Sequence, residues 1–156
     1  MVAVESSQQI EIGGHLFHFK LDRIYELCVD KKKLIIDYKT GFAAKEDWIG
    51  ERPNKPQLPL YCVTSKVPIS GVVFAQVKTG EMMFKGVAEE GVEIDGVDAL
   101  SAQAWLDLQT RWKIALEALL LQFTQGYAKV DPKEGQRTCR FCELKALCRV
   151  NEALGV

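Results

Sequence analysis

Leu34-Ile35-Ile36-Asp37-Tyr38-Lys39-Thr40-Gly41 is the stretch on which the reading of the fold turns. Three apolar residues run into an acid, an aromatic, a lysine and a Thr-Gly turn. That is the pattern of a short buried strand whose last residues emerge at an edge or cleft. Side chains alternate along a strand, so Asp37 and Lys39 share one face and Ile36 and Tyr38 the other. A carboxylate and an ammonium side by side at a strand end suit the hydrolysis of phosphate esters. One can hold a metal ion while the other steadies a water or an oxyanion. The plainer alternative is a surface ion pair, which is common and weak.

Working toward the N-terminus, residues 2–12 contain alternating apolar positions and predict a strand, and Gly13-Gly14 is a two-residue hairpin signal. From His15 to Leu27 the alternation continues. Phe17, Phe19, Leu21, Tyr25 and Leu27 fall on one face, with Arg23 the exception, and His18, Lys20, Asp22 and Glu26 fall on the other. Asp30-Lys31-Lys32 then turns the chain into Leu34–Lys39. A hairpin centred between Asp30 and Lys31 sets Asp22 opposite Lys39, with Asp37 diagonal to Asp22 on the same face. Directly opposed Cβ atoms lie about 5 Å apart and diagonal ones about 7–8 Å. Two carboxylates and one lysine therefore converge on one patch.

Toward the C-terminus, residues 42–56 read as loop with a short helix near Ala43–Trp48. A helix is expected from Pro56 to about Ser65, proline being tolerated in a first turn. It sets Gln57 and Tyr61 at i and i+4 on one face. Ile69–Val77 and Met82–Val87 predict two strands, followed by a loop through Gly91–Ala99. Ser101 is placed to cap a helix running to about Gln125 and ended by Gly126. Trp105, Leu108, Trp112, Ala115, Leu119 and Phe123 make a core-facing stripe along it. The polar remainder holds Cys139, Cys142 and Cys148. Strands, helix, two strands, long helix and cysteine tail together predict an α/β or α+β domain.

Composition narrows the function classes. The 156 residues are 47% hydrophobic and 26% charged, enough for one domain with a substantial core. The net charge of −1 gives no overall pull toward nucleic acid, so any such contact has to come from local clusters such as Lys31–Lys33 or Arg137/Arg140/Lys145/Arg149. The first residues lack the regions of a signal peptide, and the apolar run from Ile114 to Leu121, broken by Glu117, is too short to span a bilayer. A cytoplasmic protein with no membrane contact is expected. Five cysteines in such a chain point to metal ligands or free thiols rather than disulfides.

Asp22-Arg23-Ile24, Ile35-Ile36-Asp37-Tyr38-Lys39-Thr40-Gly41 and Gln57-Leu58-Pro59-Leu60-Tyr61 occur in that order. In this they resemble the PD-(D/E)XK nuclease superfamily, and more closely the RecB-like nuclease domains of AddB and of CRISPR-associated exonucleases. Cys139-x2-Cys142-x5-Cys148 is similar to the C-terminal part of the iron–sulfur motif of AddB-type members. The likeness runs from about Asp22 to Cys148. It implies a restriction-endonuclease-like core, a mixed central sheet flanked by helices. That core would occupy residues 1–130, and a cysteine motif, residues 131–156, would pack on it.

The resemblance also implies roles. Asp22 and Asp37 would be acidic ligands of Mg²⁺ or Mn²⁺, with the backbone carbonyl of Tyr38 completing the shell. Lys39 would position the attacking water and offset charge in the transition state. Gln57 and Tyr61 would form the QxxxY motif that arranges the active site and DNA. Cys139, Cys142 and Cys148 would hold part of an iron–sulfur cluster; ligand type alone leaves zinc open. The implied activity is a metal-dependent deoxyribonuclease, exonuclease rather than endonuclease, in DNA repair or recombination. Family members usually place before the first strand a helix carrying a further His or Glu ligand and a cluster cysteine, and this chain begins at the strand. Phe19 and Tyr25 also replace a glycine and an acid common around the first Asp. The expectation is a C-terminal piece of a larger helicase–nuclease-type protein. The alternative is a catalytically incomplete module that binds DNA or a partner subunit.

Of the residues outside these motifs, His18 is expected to be a solvated histidine. Cys28 and Cys62 are expected to be buried rather than a fourth cluster ligand. Trp48 and Arg52 lie in the loop beside the predicted site, suited equally to touching nucleic acid and to closing the loop by packing.

Overall fold

The computed structural model describes residues 3–12, 14–27, 31–78 and 80–155. Gly13, Cys28 and Asp30 lie outside the described residues, and so does the side chain of Asp22, whose backbone is part of the second strand. By contacts the chain divides into two units, Met1–Leu120 and Leu121–Val156.

The first unit is built on a six-stranded sheet whose spatial order follows the chain: β1 (Ala3–Ile12), β2 (His15–Glu26), β3 (Lys33–Lys39), β4 (Gly71–Lys78), β5 (Glu81–Glu89) and β6 (Val97–Leu100). The sheet is mixed. β1–β2, β2–β3 and β4–β5 are antiparallel, while β3–β4 and β5–β6 are parallel. A parallel pair needs a crossover, which between β3 and β4 is α1 (Gln57–Thr64). α1 begins after Pro56 and ends at Ser65, as the proline signal predicts. β6 occupies part of the stretch expected to be loop. Only four residues pair, so any alternation in it is too short to register in sequence.

The register across the inner strands sorts the side chains into rows. Ile35 pairs with Val72, and Val72 with Val87. Two residues further along come Asp37, Phe74 and Lys85, and beyond them Lys39, Gln76 and Met83. All three rows face the same way. The first is covered by α1 and by α2 (Ala102–Thr124). Ile24, Ile35, Val72 and Phe74 pack with Leu58, Tyr61 and Cys62 of α1 and with Trp105 and Trp112 of α2. The two indole N–H groups are satisfied in this layer. Trp105 Nε1 donates to the Ile69 carbonyl at 3.0 Å and Trp112 Nε1 to the Trp48 carbonyl at 2.9 Å. Ser101 Oγ accepts from Ala104 N at 3.3 Å, the capping contact its sequence position predicts. On the opposite face Leu34, Ile36, Val73, Ala75 and Ala88 are buried under Val92, with Ile94 and Val97 packed against them.

The β2–β3 hairpin departs from expectation in register. Ile24 pairs with Ile35 and Glu26 with Lys33, so the turn is centred one residue earlier than predicted and each pairing partner shifts by two. Leu27 N donates to the Lys32 carbonyl and Lys31 N to the Leu27 carbonyl, and Lys31 takes a left-handed φ of 60°. The pairs run from Glu26 and Lys33 to Ile24 and Ile35, and among them a shift of two keeps each side chain on its expected face, since two residues are a full period of the strand. The Lys31–Lys33 run serves this tip. Lys31 lies 3.6 Å from Glu26 and Lys32 3.6 Å from Glu89.

The second unit takes in the last residues of α2, a 3-10 turn at Gly135–Arg137, and two short helices, α3 (Lys145–Cys148) and α4 (Val150–Leu154). Arg149 between them is left-handed with φ 55°. Phe123, the last residue of the predicted stripe, is 79% exposed, so the core-facing part of α2 is the stretch around Trp105, Trp112 and Ala115. Among the described residues no helix is long and apolar enough to cross a membrane.

Candidate active site

The row that follows the sealed core carries the chemistry. Asp37 sits near the C-terminal end of β3, paired with Phe74 of β4, and is only 4% exposed. Lys39 Nζ lies 2.7 Å from Asp37 Oδ2, and the lysine side chain remains one-third exposed. The carboxylate is thus buried and the ammonium reaches the surface. An ion pair with one buried partner is held more firmly than a surface pair, because losing the ammonium would strand a desolvated carboxylate.

α1 brings the next two groups. Gln57 and Tyr61, one turn apart, are joined by a hydrogen bond of 3.0 Å from Gln57 Nε2 to Tyr61 Oη. Tyr61 is buried and Gln57 exposed. Lys39, Gln57 and Tyr61 line one cleft of about 320 Å³, together with Lys55, Pro56, Leu60 and Phe74. Of the residues singled out by sequence, the structure therefore brings Asp37, Lys39, Gln57 and Tyr61 together. The backbone of Asp22 lies on the adjoining strand, β2.

The far side of β3 is also fixed. Tyr38 points away from Asp37, and its hydroxyl is 2.8 Å from that of Tyr25 on β2. The turn beyond Lys39 is held by Gln76 of β4. Gln76 is 1% exposed, and its Nε2 donates to the Gly41 carbonyl at 2.7 Å. Gln76 was not singled out from sequence, and Tyr25 only as the residue that replaces an acid common near the first Asp. A glutamine at the end of an apolar strand gives no sign of which carbonyl it will reach.

Lys55 is the second cation of the cleft. Its Nζ is 2.8 Å from Asp47 Oδ2, donates to the Phe42 carbonyl at 3.0 Å and lies 5.8 Å from the centre of the Phe74 ring. Trp48, in the 3-10 turn Lys45–Trp48, is 1% exposed and packs on Phe74 with ring centres 4.6 Å apart, so packing accounts for it. The same turn is tied to β6 by the Lys45–Asp98 ion pair.

Among the described residues no three His, Cys, Asp or Glu side chains gather as a metal-binding set. The donor type at the strand end nonetheless matches a hard cation: a carboxylate oxygen of Asp37 followed by the Tyr38 backbone carbonyl, both oxygen donors. The cysteines fall into two kinds. Cys62 is buried in the helix-covered core, and desolvation pushes its thiol up to about 12. A thiol so far from ionising is a core hydrophobe rather than a metal ligand. Cys142 and Cys148 are exposed and Cys139 half-buried, all in the second unit.

A family model described as the PD-(D/E)XK nuclease superfamily matches residues 1–149. The chain belongs to the PD-(D/E)XK nuclease superfamily. A search of curated proteins finds no match. Among solved structures, the chain is similar to one titled "Crystal structure of SSO0001", at 17% identity and a TM-score of 0.45. The similarity covers 93% of this chain and 58% of that one, so the chain spans a little over half the length of that protein.

Proposed function

We propose that this chain is the nuclease domain of a metal-dependent deoxyribonuclease that hydrolyses phosphodiester bonds at the Asp37–Lys39 strand end. The supporting observation is the buried Asp37 carboxylate, 2.7 Å from a lysine that shares a cleft with Gln57 and Tyr61. Asp22, Asp37 and the Tyr38 carbonyl would hold Mg²⁺ or Mn²⁺. When bound, the ion supplies polarisation of the phosphoryl group and a lowered pKa for its water. The chain's own groups do the rest. Lys39 places a positive charge where negative charge grows on the phosphoryl oxygens, and Asp37 keeps that ammonium oriented. Gln57 fixes the Tyr61 hydroxyl at the cleft wall. Tyr25 holds the Tyr38 ring on the opposite face, which limits movement of the peptide between Asp37 and Lys39.

The finer reading is a RecB/AddB-like exonuclease acting in DNA repair as part of a larger helicase–nuclease-type protein, in the cytoplasm. Cys139, Cys142 and Cys148 would contribute three thiolates to an iron–sulfur cluster there. Iron and sulfide analysis with a visible spectrum tests the cluster, and stoichiometric zinc would replace it with a zinc site.

The decisive experiment is cleavage of single- and double-stranded DNA with Mg²⁺ or Mn²⁺, using this chain and its full-length parent. Asp37→Ala and Lys39→Ala are expected to lower cleavage by at least about a hundredfold. Unchanged cleavage in both variants rejects the assignment. DNA binding with no cleavage in the parent protein would replace the enzyme by a binding module.

A further inference from the structure

Phe42 stands immediately beyond the strand that carries Asp37 and Lys39, and 76% of its surface is exposed. Such exposure is ordinary for a residue on a loose loop, but the backbone here is anchored at two successive carbonyls. The Gly41 carbonyl accepts from buried Gln76 at 2.7 Å, and the Phe42 carbonyl accepts from Lys55 at 3.0 Å. Ala43 is fully buried. An aromatic ring is thus projected into solvent from a fixed base. Ordering costs on binding a ligand would be small there.

One ammonium lies against the ring. Lys85 Nζ lies 5.2 Å from its centre, within cation–π range. Lys85 belongs to the same row as Asp37 and Phe74, and no carboxylate pairs with it among the described residues. Lys55, which anchors the Phe42 backbone, also lines the cleft with Lys39. An exposed aromatic set among lysines beside a phosphate-chemistry cleft matches single-stranded nucleic acid: bases stack on the ring while ammonium groups track the backbone. A duplex cannot use the ring this way, since its bases are already stacked on one another. Phe42 is three residues past Lys39, no more than about 11 Å along the chain, within reach of a nucleotide next to the phosphate at Lys39.

We propose that Phe42 and Lys85, with Lys55, form a ledge that stacks an unpaired base of single-stranded DNA beside the cleft. This rests on the cleft being a nucleic-acid site, though not on its being able to cut.

Binding is measured by fluorescence anisotropy in EDTA, where cleavage plays no part, with a labelled single-stranded oligodeoxynucleotide, the same sequence as duplex, and its RNA counterpart. Phe42→Ala is expected to weaken single-strand binding at least about fivefold and duplex binding less than twofold, while Phe42→Trp retains it. Lys85→Gln should weaken single-strand binding in the same direction. An exposed position makes Phe42→Ala safe for folding, and an unchanged melting temperature verifies that. Equal weakening of both DNA forms, no effect of Phe42→Ala, no binding by the wild type, or tighter Phe42-dependent binding of RNA overturns the proposal. The cleavage assay separates the two readings. Metal-dependent cutting with Phe42→Ala affinity unchanged removes the ledge and keeps the nuclease. Phe42-dependent binding with no cutting does the reverse.

Discussion

Cys62 illustrates how far one side chain's surroundings govern its chemistry. Five cysteines are equal in sequence, yet this one belongs to the buried apolar cluster that also holds Ile24, Leu58 and Trp105. Its thiol, normally titrating near 9.0, is pushed up to about 12 by desolvation. The sign of the consequence is fixed by linkage. The folded state keeps the proton while the unfolded chain releases it above pH 9, so stability is unaffected below that pH and falls as pH rises from about 9 toward 12. The slope attributable to this group is at most about 1.4 kcal/mol per pH unit. Urea melts of wild type and Cys62→Val from pH 8 to 10.5 should therefore show a steeper alkaline decline in the wild type. The same burial predicts that a thiol reagent at pH 8 modifies Cys142 and Cys148 in the folded protein and reaches Cys62 only after denaturation.

Among the elements, the β4–β5 pair has little room for change. Gly86 sits against β4, where an added Cβ would press on the Val72 carbonyl oxygen and stand 2.9 Å from Val73 Cα. Both contacts are backbone and cannot yield as a side chain tip would. Gly86→Ala is expected to cost about 2–3 kcal/mol, read as a lower urea midpoint with an unchanged m-value. Elements of this kind were legible in sequence where one signal was strong. Pro56 with the Gln57–Tyr61 spacing located α1, and Ser101 with the two tryptophans located the start and inner face of α2. The Asp37/Lys39 pairing was legible because strand alternation leaves no choice of face. Register was not. The tip between Leu27 and Lys32 closes through a left-handed Lys31, a conformation that lysine does not advertise. β6 was hidden because its pairing depends on β5 rather than on its own composition. The contacts of Gln76 and Tyr25 were not legible because their partners, the Gly41 carbonyl and the Tyr38 hydroxyl, are neighbours only after folding.

For the molecule as a whole, charge is distributed unlike its total. A net charge of −1 gives no general attraction to DNA, yet Lys39, Lys55 and Lys85 are gathered on one face of the sheet. Lys39 and Lys55 are each paired with an aspartate, so the local field is moderate. Single-strand binding through three ammonium groups should give a plot of log affinity against log salt with a slope of about −2, against about −0.7 per phosphate neutralised. Titrations between 50 and 300 mM salt measure it, and Lys85→Gln should flatten it by roughly one contact's worth. A slope near zero would mean that these lysines do not meet phosphate.

β3 is laddered along both edges, and this makes the protein unequally tolerant of changes in chain length. An extra residue at the Leu27–Lys32 tip can be looped out, leaving both ladders in frame. The same insertion between Ile35 and Asp37 would carry the acid and the lysine through the sheet to the Val92 side, exchanging them with Ile36 and Tyr38. Indels in this gene should therefore be silent or ruinous according to which side of Leu34 they fall, with little between.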